Sequence, residues 1–154
     1  MQIDPNLFDF VVLLNRHGVR YLIVGGYALG FHGAPRYTGD FDIWIDVSEE
    51  NADKMMLVLN EFPAPKGFFT RDDFLDKAPM AGKFFGISPL RIDILNSVSG
   101  INFKECYGRA GDYEINGEKI RFLSYEDFVA NKTASGRLKD LADIEELRKN
   151  RKEK

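Results

Sequence analysis

Residues 21–47 read YLIVGGYALGFHGAPRYTGDFDIWIDV, and the fold turns on this stretch. Tyr21-Leu22-Ile23-Val24 is a short apolar run with β-branched members, the pattern of a buried strand. Gly25 and Gly26 follow at once, where a chain leaving a strand sharply gains most from lacking a Cβ. Backbone N–H groups at such a turn, and at the start of the short helix expected over Tyr27–Phe31, point outward and suit a phosphate. A loop rich in turn formers, residues 32–39, leads into a second strand that begins Asp40-Phe41-Asp42-Ile43-Trp44-Ile45 and runs to about Val47. Alternation sends Phe41, Ile43 and Ile45 to one face and Asp40 and Asp42 to the other. Two carboxylates on one strand face repel each other unless each is solvated, paired or metal-bound. Their side chains can converge on hard cations, so a phosphate cradle feeding this strand is equipment for phosphoryl or nucleotidyl transfer.

Around this unit the chain reads as alternating helices and strands. Asp4-Pro5 opens a helix with an apolar stripe of Leu7, Phe8, Val11 and Leu14, with Phe10 a further candidate, ended by Gly18. Ser48 caps a helix to about Phe62, with Ala52, Met55, Met56 and Leu59 inward. Residues 63–82 are broken by prolines and glycines around a capping box at Thr70–Asp73. Strands are expected over 83–87 and 90–95, then a short helix around 103–107, then a hairpin turning at Asn116-Gly117 whose charged alternate face marks a solvent-facing edge. Ser124 caps the first of two closing helices. The whole is an α+β chain expected to form one domain over 1–154, a core of about 1–123 followed by C-terminal helices over about 124–150.

In the 90–95 strand, Arg91 and Asp93 share one face while Ile92 and Ile94 take the other. An aspartate between isoleucines makes sense only where its face opens onto a polar site, or where it pairs with Arg91 or another cation. Asp46 reads as a solvated strand-end charge. His32 is a loop histidine of the surface kind, with a lesser claim to touch a ligand. His17 fits a helix C-terminal cap, and Cys106, with no His or second Cys to activate it, is read as inert.

Gly25-Gly26, thirteen residues, then Asp40-Phe41-Asp42 resembles the signature of the polymerase-β-type nucleotidyltransferase superfamily. With Arg36 and Thr38 ahead of the aspartates, the phrase is similar to small bacterial nucleotidyltransferases of toxin–antitoxin type. The likeness covers the first two-thirds of the chain well and, more loosely, the C-terminal helix. It implies the nucleotidyltransferase fold, a small mixed or antiparallel sheet flanked by helices. It also implies that Asp40 and Asp42 bind two Mg²⁺ ions, that Asp93 is the third catalytic carboxylate, and that Gly25 and Gly26 hold the phosphates of a nucleoside triphosphate. Lys132, in a tail phrase running to Asp143, and less surely Arg36 or Arg137, would offset charge on the leaving pyrophosphate; Arg137 has the alternative of pairing with Asp140 or Asp143. The implied reaction is transfer of a nucleoside monophosphate to a hydroxyl on RNA, protein or a small molecule, with an antitoxin-like partner protein. A non-catalytic module that binds nucleotide or a partner is the competing reading, and a structural domain whose aspartates pair with Arg36 and Arg91 is a third.

The chain has 154 residues, 44% hydrophobic and 29% charged, with a net charge of −3 that argues against broad nonspecific nucleic-acid binding. No stretch is long and apolar enough for a membrane span. A single cysteine excludes an internal disulfide, so a cytoplasmic location is the expectation.

Overall fold

A computed structural model describes residues 3–35 and 40–152. Helix α1 (Pro5–Arg16) starts where the Asp4 carboxylate accepts from the Asn6 N–H, and it buries Leu7, Phe10, Val11 and Leu14. Strand β1 (Tyr21–Val24) is buried throughout. Helix α2 (Gly25–Phe31) follows with no residue between, and strand β2 (Asp40–Ile45) lies antiparallel to β1, with Val24 opposite Asp42. Helix α3 (Glu49–Glu61) is capped by the Ser48 side chain. The capping box at Thr70 and Asp73 forms as expected, on a 3₁₀ turn at Arg71–Phe74.

Strands β3 (Gly82–Phe85) and β4 (Arg91–Leu95) pair antiparallel, and β4 lies parallel to β2 with Asp42 in register with Asp93. After helix α4 (Phe103–Arg109) come β5 (Gly111–Ile115) and β6 (Glu118–Phe122). Asn116 and Gly117 both have positive φ, 50° and 83°, as a two-residue hairpin turn demands. Helices α5 (Tyr125–Ser135) and α6 (Leu138–Lys152) close the chain.

The sheet has six strands in the order β3-β4-β2-β1-β6-β5, antiparallel in all pairings except β1 with β6 and β2 with β4. An α+β fold with a mixed sheet flanked by helices is thus present as expected. The hairpin is an edge only in part. Strand β5 is the exposed border, but β6 lies inside against β1, with Ile120 and Phe122 fully buried. The apolar alternate positions of β6 outweigh its charged ones, because they complete the core.

Asp46 also departs from its reading as a solvated charge: the Arg20 guanidinium lies 2.7 Å from its carboxylate. His32 is half-buried rather than on the open surface, and its Nε2–H donates to the Leu123 carbonyl at 2.6 Å. Burial lowers its pKa and keeps the ring neutral. Cys106 is fully buried, and burial beside Asp127 pushes its thiol up to about 11, so the inert reading fits. His17 does cap α1, and its ring also meets Glu61 at 2.7 Å.

Candidate functional site

The parity of β2 and β4, and their parallel register, bring two carboxyls side by side. Asp42 and Asp93 are direct cross-strand partners, and both point to the face opposite the buried Phe41, Ile43, Ile92 and Ile94. Asp42 is pushed up to about 7, first by burial, then by a hydrogen bond with Asp93 and by the negative charges of Asp93 and Asp40. Its protonated carboxyl donates to Asp93; Lys132 pulls the other way. Two carboxyls held this close and this dry do not both ionise without a cation between them.

Gly25 explains how Asp42 gets there. A Cβ on Gly25 would lie 2.0 Å from an Asp42 carboxylate oxygen, and Gly25 has φ of +66°. Both the conformation and the contact require glycine. The carboxylate of β2 therefore rests directly on the backbone at the start of α2.

Asp40 and Asp93 carry further contacts. Ser88 donates its hydroxyl to Asp40 at 3.1 Å, and Arg91 Nε donates to Asp93 at 2.7 Å while standing 3.8 Å from Asp40. The Arg91 guanidinium also stacks on Phe84, 3.7 Å from the ring centre. The alternative of an Asp93–Arg91 pair is thus realised, and it coexists with the Asp42–Asp93 contact. Among the described residues, no three His, Cys, Asp or Glu side chains are gathered into a ready metal cluster. The donor chemistry nevertheless fits a hard divalent cation. The groups are all carboxylate oxygen, and a positive guanidinium and a retained proton already sit where charge must be offset.

Lys132 and Arg137 arrive from the helical end. Lys132 is nearly buried, with Nζ 3.1 Å from Asp140 and 3.9 Å from Asp143. Arg137 Nε donates to the same Asp140 at 2.8 Å, the alternative pairing open to it, and the Ser135 hydroxyl donates to Asp140 as well. Asp140 is completely buried and, held by these three donors, sits at about 2. Sequence reading left Asp140 as an alternative partner for Arg137 and missed its hold on Lys132. The spacing of eight residues across a helix break carries no periodic signal.

Gly25, Asp42, Lys132 and Arg137 line one cleft of about 330 Å³, together with Met80, Ser97 and Asn131. Asp40 and Asp93 adjoin it through β2 and β4 without lining it, and Gly26 is the second residue of α2. Arg36 and Thr38 lie outside the described residues. A larger, mainly apolar groove of about 710 Å³ lies along α1 beside Phe62, Ile87 and Leu90. Two of its three charged side chains, Arg16 and Glu61, pair with each other and leave Asp9 in a mainly apolar lining, so the carboxylate cleft is the better candidate for chemistry.

The comparisons agree with the fold. Residues 6–154 match the model of a nucleotidyl transferase family of unknown function, DUF2204. Among solved structures, a candidate nucleotidyltransferase from Thermotoga maritima is similar at 20% identity and a TM-score of 0.58, over 96% of this chain and 91% of that one. An antigenic nucleotidyltransferase-like protein from Paracoccidioides brasiliensis is similar at 20% identity and a TM-score of 0.53, over 92% of this chain and 72% of that one. No curated protein gives a significant match. No helix among the described residues is long and apolar enough to cross a membrane. With the family model spanning almost the whole sequence and the fold shared with both structures, the chain belongs to the nucleotidyl transferase family DUF2204.

Proposed function

We propose that the chain transfers a nucleoside monophosphate from a nucleoside triphosphate to a hydroxyl acceptor, with Asp40, Asp42 and Asp93 as the carboxylates that hold Mg²⁺. The observation that carries this reading is the Asp42–Asp93 pair, brought together in register from two strands with Asp42 seated on Gly25. When bound, divalent ions supply charge neutralisation and activation of the attacking hydroxyl. The chain's own groups do the rest. Backbone N–H groups at Gly25 and Gly26 hold the phosphates; Lys132, kept in place by Asp140, and Arg137 face charge developing on the pyrophosphate; Arg36 is proposed for the same role. An acceptor on RNA, a protein or a small molecule, and a protein partner of antitoxin type, belong to the same proposal.

One observation favours the third reading, a structural domain: Arg91 already neutralises Asp93 at 2.7 Å. The test is incubation with labelled nucleoside triphosphates, Mg²⁺ and cell extract. Label transferred to RNA or protein by the wild type and not by Asp42→Asn supports the enzyme. Intact triphosphate binding with no transfer from any nucleotide supports the binding module, and Mg²⁺ that leaves the melting temperature unchanged sinks the metal site.

A further inference from the structure

Helix α6 turns residues outward that its packing does not use. Its inner side is settled, with Asp140, Asp143, Ile144 and Leu147 buried. On the outside, Leu138 is 86% and Leu141 44% exposed. A helix that only closed the fold would carry polar residues there. Further along come Arg148, Lys149 and Lys152, all exposed and none in an ion pair among the described residues. Leu141, Arg148 and Lys152 recur at helical spacing, and with Ile144 and Lys149 they line one groove of about 720 Å³ beside Thr133 of α5.

The helix dipole accounts for cations in the last turn but not for the leucines ahead of them. Nor is this end of the helix loose. Asn150 donates to the Gly33 carbonyl at 3.0 Å, and Arg151 donates to the His32 carbonyl at 3.1 Å. The Arg151 guanidinium also stacks on Tyr125, 3.8 Å from the ring centre. The backbone that carries the three unpaired cations is thus fixed to the body, which lowers the cost of docking.

The lining decides the occupant. Leucines leading into cations are complemented by apolar side chains leading into carboxylates. The sheet's two borders are β3 and β5, so a partner has no strand edge to extend at α6, and a helix laid along it is the fitting form. From Leu141 to Lys152 the rise is about 16 Å, three turns of such a helix. Carboxylates suit the partner's own N-terminal end, which makes the two helices antiparallel. Nucleic acid suits the groove less well, because Glu145 stands among the cations and the leucines offer nothing to a phosphate.

We propose that the outer face of α6 is a docking surface for an acidic amphipathic helix of a partner protein. The partner's apolar residues rest on Leu141 and Ile144, and its carboxylates meet Arg148, Lys149 and Lys152. The surface is separate from the carboxylate cleft and does not depend on the reading given to that cleft.

The experiment is fluorescence anisotropy of the full chain with a labelled synthetic helical peptide that carries glutamates on one face of its N-terminal half and leucines on the same face of its C-terminal half. Comparison probes are the same peptide with glutamine for glutamate, a scrambled peptide and a single-stranded RNA. The acidic peptide is expected to bind in the micromolar range. The glutamine peptide, and the double variant Arg148→Gln/Lys152→Gln, each weaken binding about 5- to 20-fold; Leu141→Ser weakens it about 3- to 10-fold. Salt at about 0.5 M weakens the wild-type complex as well. The three substituted side chains are exposed, so the variants melt close to wild type. Absent binding, equal binding of the scrambled peptide, or an affinity that the double variant does not move overturns the proposal. RNA that binds more tightly than the peptide, and is lost in the double variant, overturns it in favour of a nucleic-acid surface.

Discussion

Gly25 and Asp42 illustrate how closely a backbone and a carboxylate can be made to fit. Gly25→Ala places a methyl 2.0 Å from the Asp42 oxygen and forces a side chain to φ of +66°. The expected result is a loss of about 1–3 kcal/mol in chemical denaturation, accompanied by loss of triphosphate binding in the same preparation. Asp42 itself gives the opposite sign. Its folded pKa of about 7 lies above the ordinary value of 3.8, so the fold holds its proton more tightly than the unfolded chain does. The cost to the fold is absent below about pH 4, grows as pH rises toward 7, and is complete above that. In metal-free buffer at pH 8, Asp42→Asn is therefore expected to be more stable than wild type by about 2–4 kcal/mol, and no more stable at pH 4. Equal stability of the two proteins at pH 8 in thermal melts would show that the carboxyls do not share a dry site.

Among the elements, α5 and α6 matter for what they do to one lysine. Asp140 sits on the first turn of α6, buried, and takes hydrogen bonds from Lys132, Arg137 and Ser135. Its pKa falls from 3.8 to about 2, so its contribution is fully present above pH 4 and is lost as pH falls through about 2. Asp140→Asn is expected to cost about 2–3 kcal/mol at neutral pH and to flatten the acid limb of the stability curve between pH 4 and 2. A urea titration series across that range measures both. Much at this scale was legible in the sequence, because it is local. The caps at Asp4, Ser48 and Ser124, the capping box at Thr70 and the Asn116-Gly117 turn depend on neighbours only a few residues away. The clamp on Lys132 was not legible, since it needs the angle between two helices. Nor was the inner position of β6, which depends on a parallel pairing with β1 from about a hundred residues earlier.

Across the whole molecule, stability should follow the order of strands. Strands β1, β2 and β4 lie inside the sheet with Ile23, Ile43 and Ile94 essentially excluded from solvent, while β5 is a solvent-exposed border. Hydrogen exchange is expected to be slowest in those three strands and orders of magnitude faster in β5; comparable protection in β5 and β2 would contradict the sheet order. The site straddles these regions, with its carboxylates on the rigid centre and its cations on the closing helices.

From the residues alone came the buried strand, the glycine pair, the shared face of Asp40 and Asp42 and the matching parity of Asp93, because strand alternation and turn chemistry are set by adjacent residues. Only tertiary structure decided that Asp42 and Asp93 stand side by side, that Arg91 binds Asp93 and that Asp140 anchors Lys132. The carboxyl pair joins strands about fifty residues apart, and the shorter-range contacts depend on how strand and helices pack around it. They exist because burying the sheet's apolar face sets one register between β2 and β4, and with it the positions of every polar group on the other side.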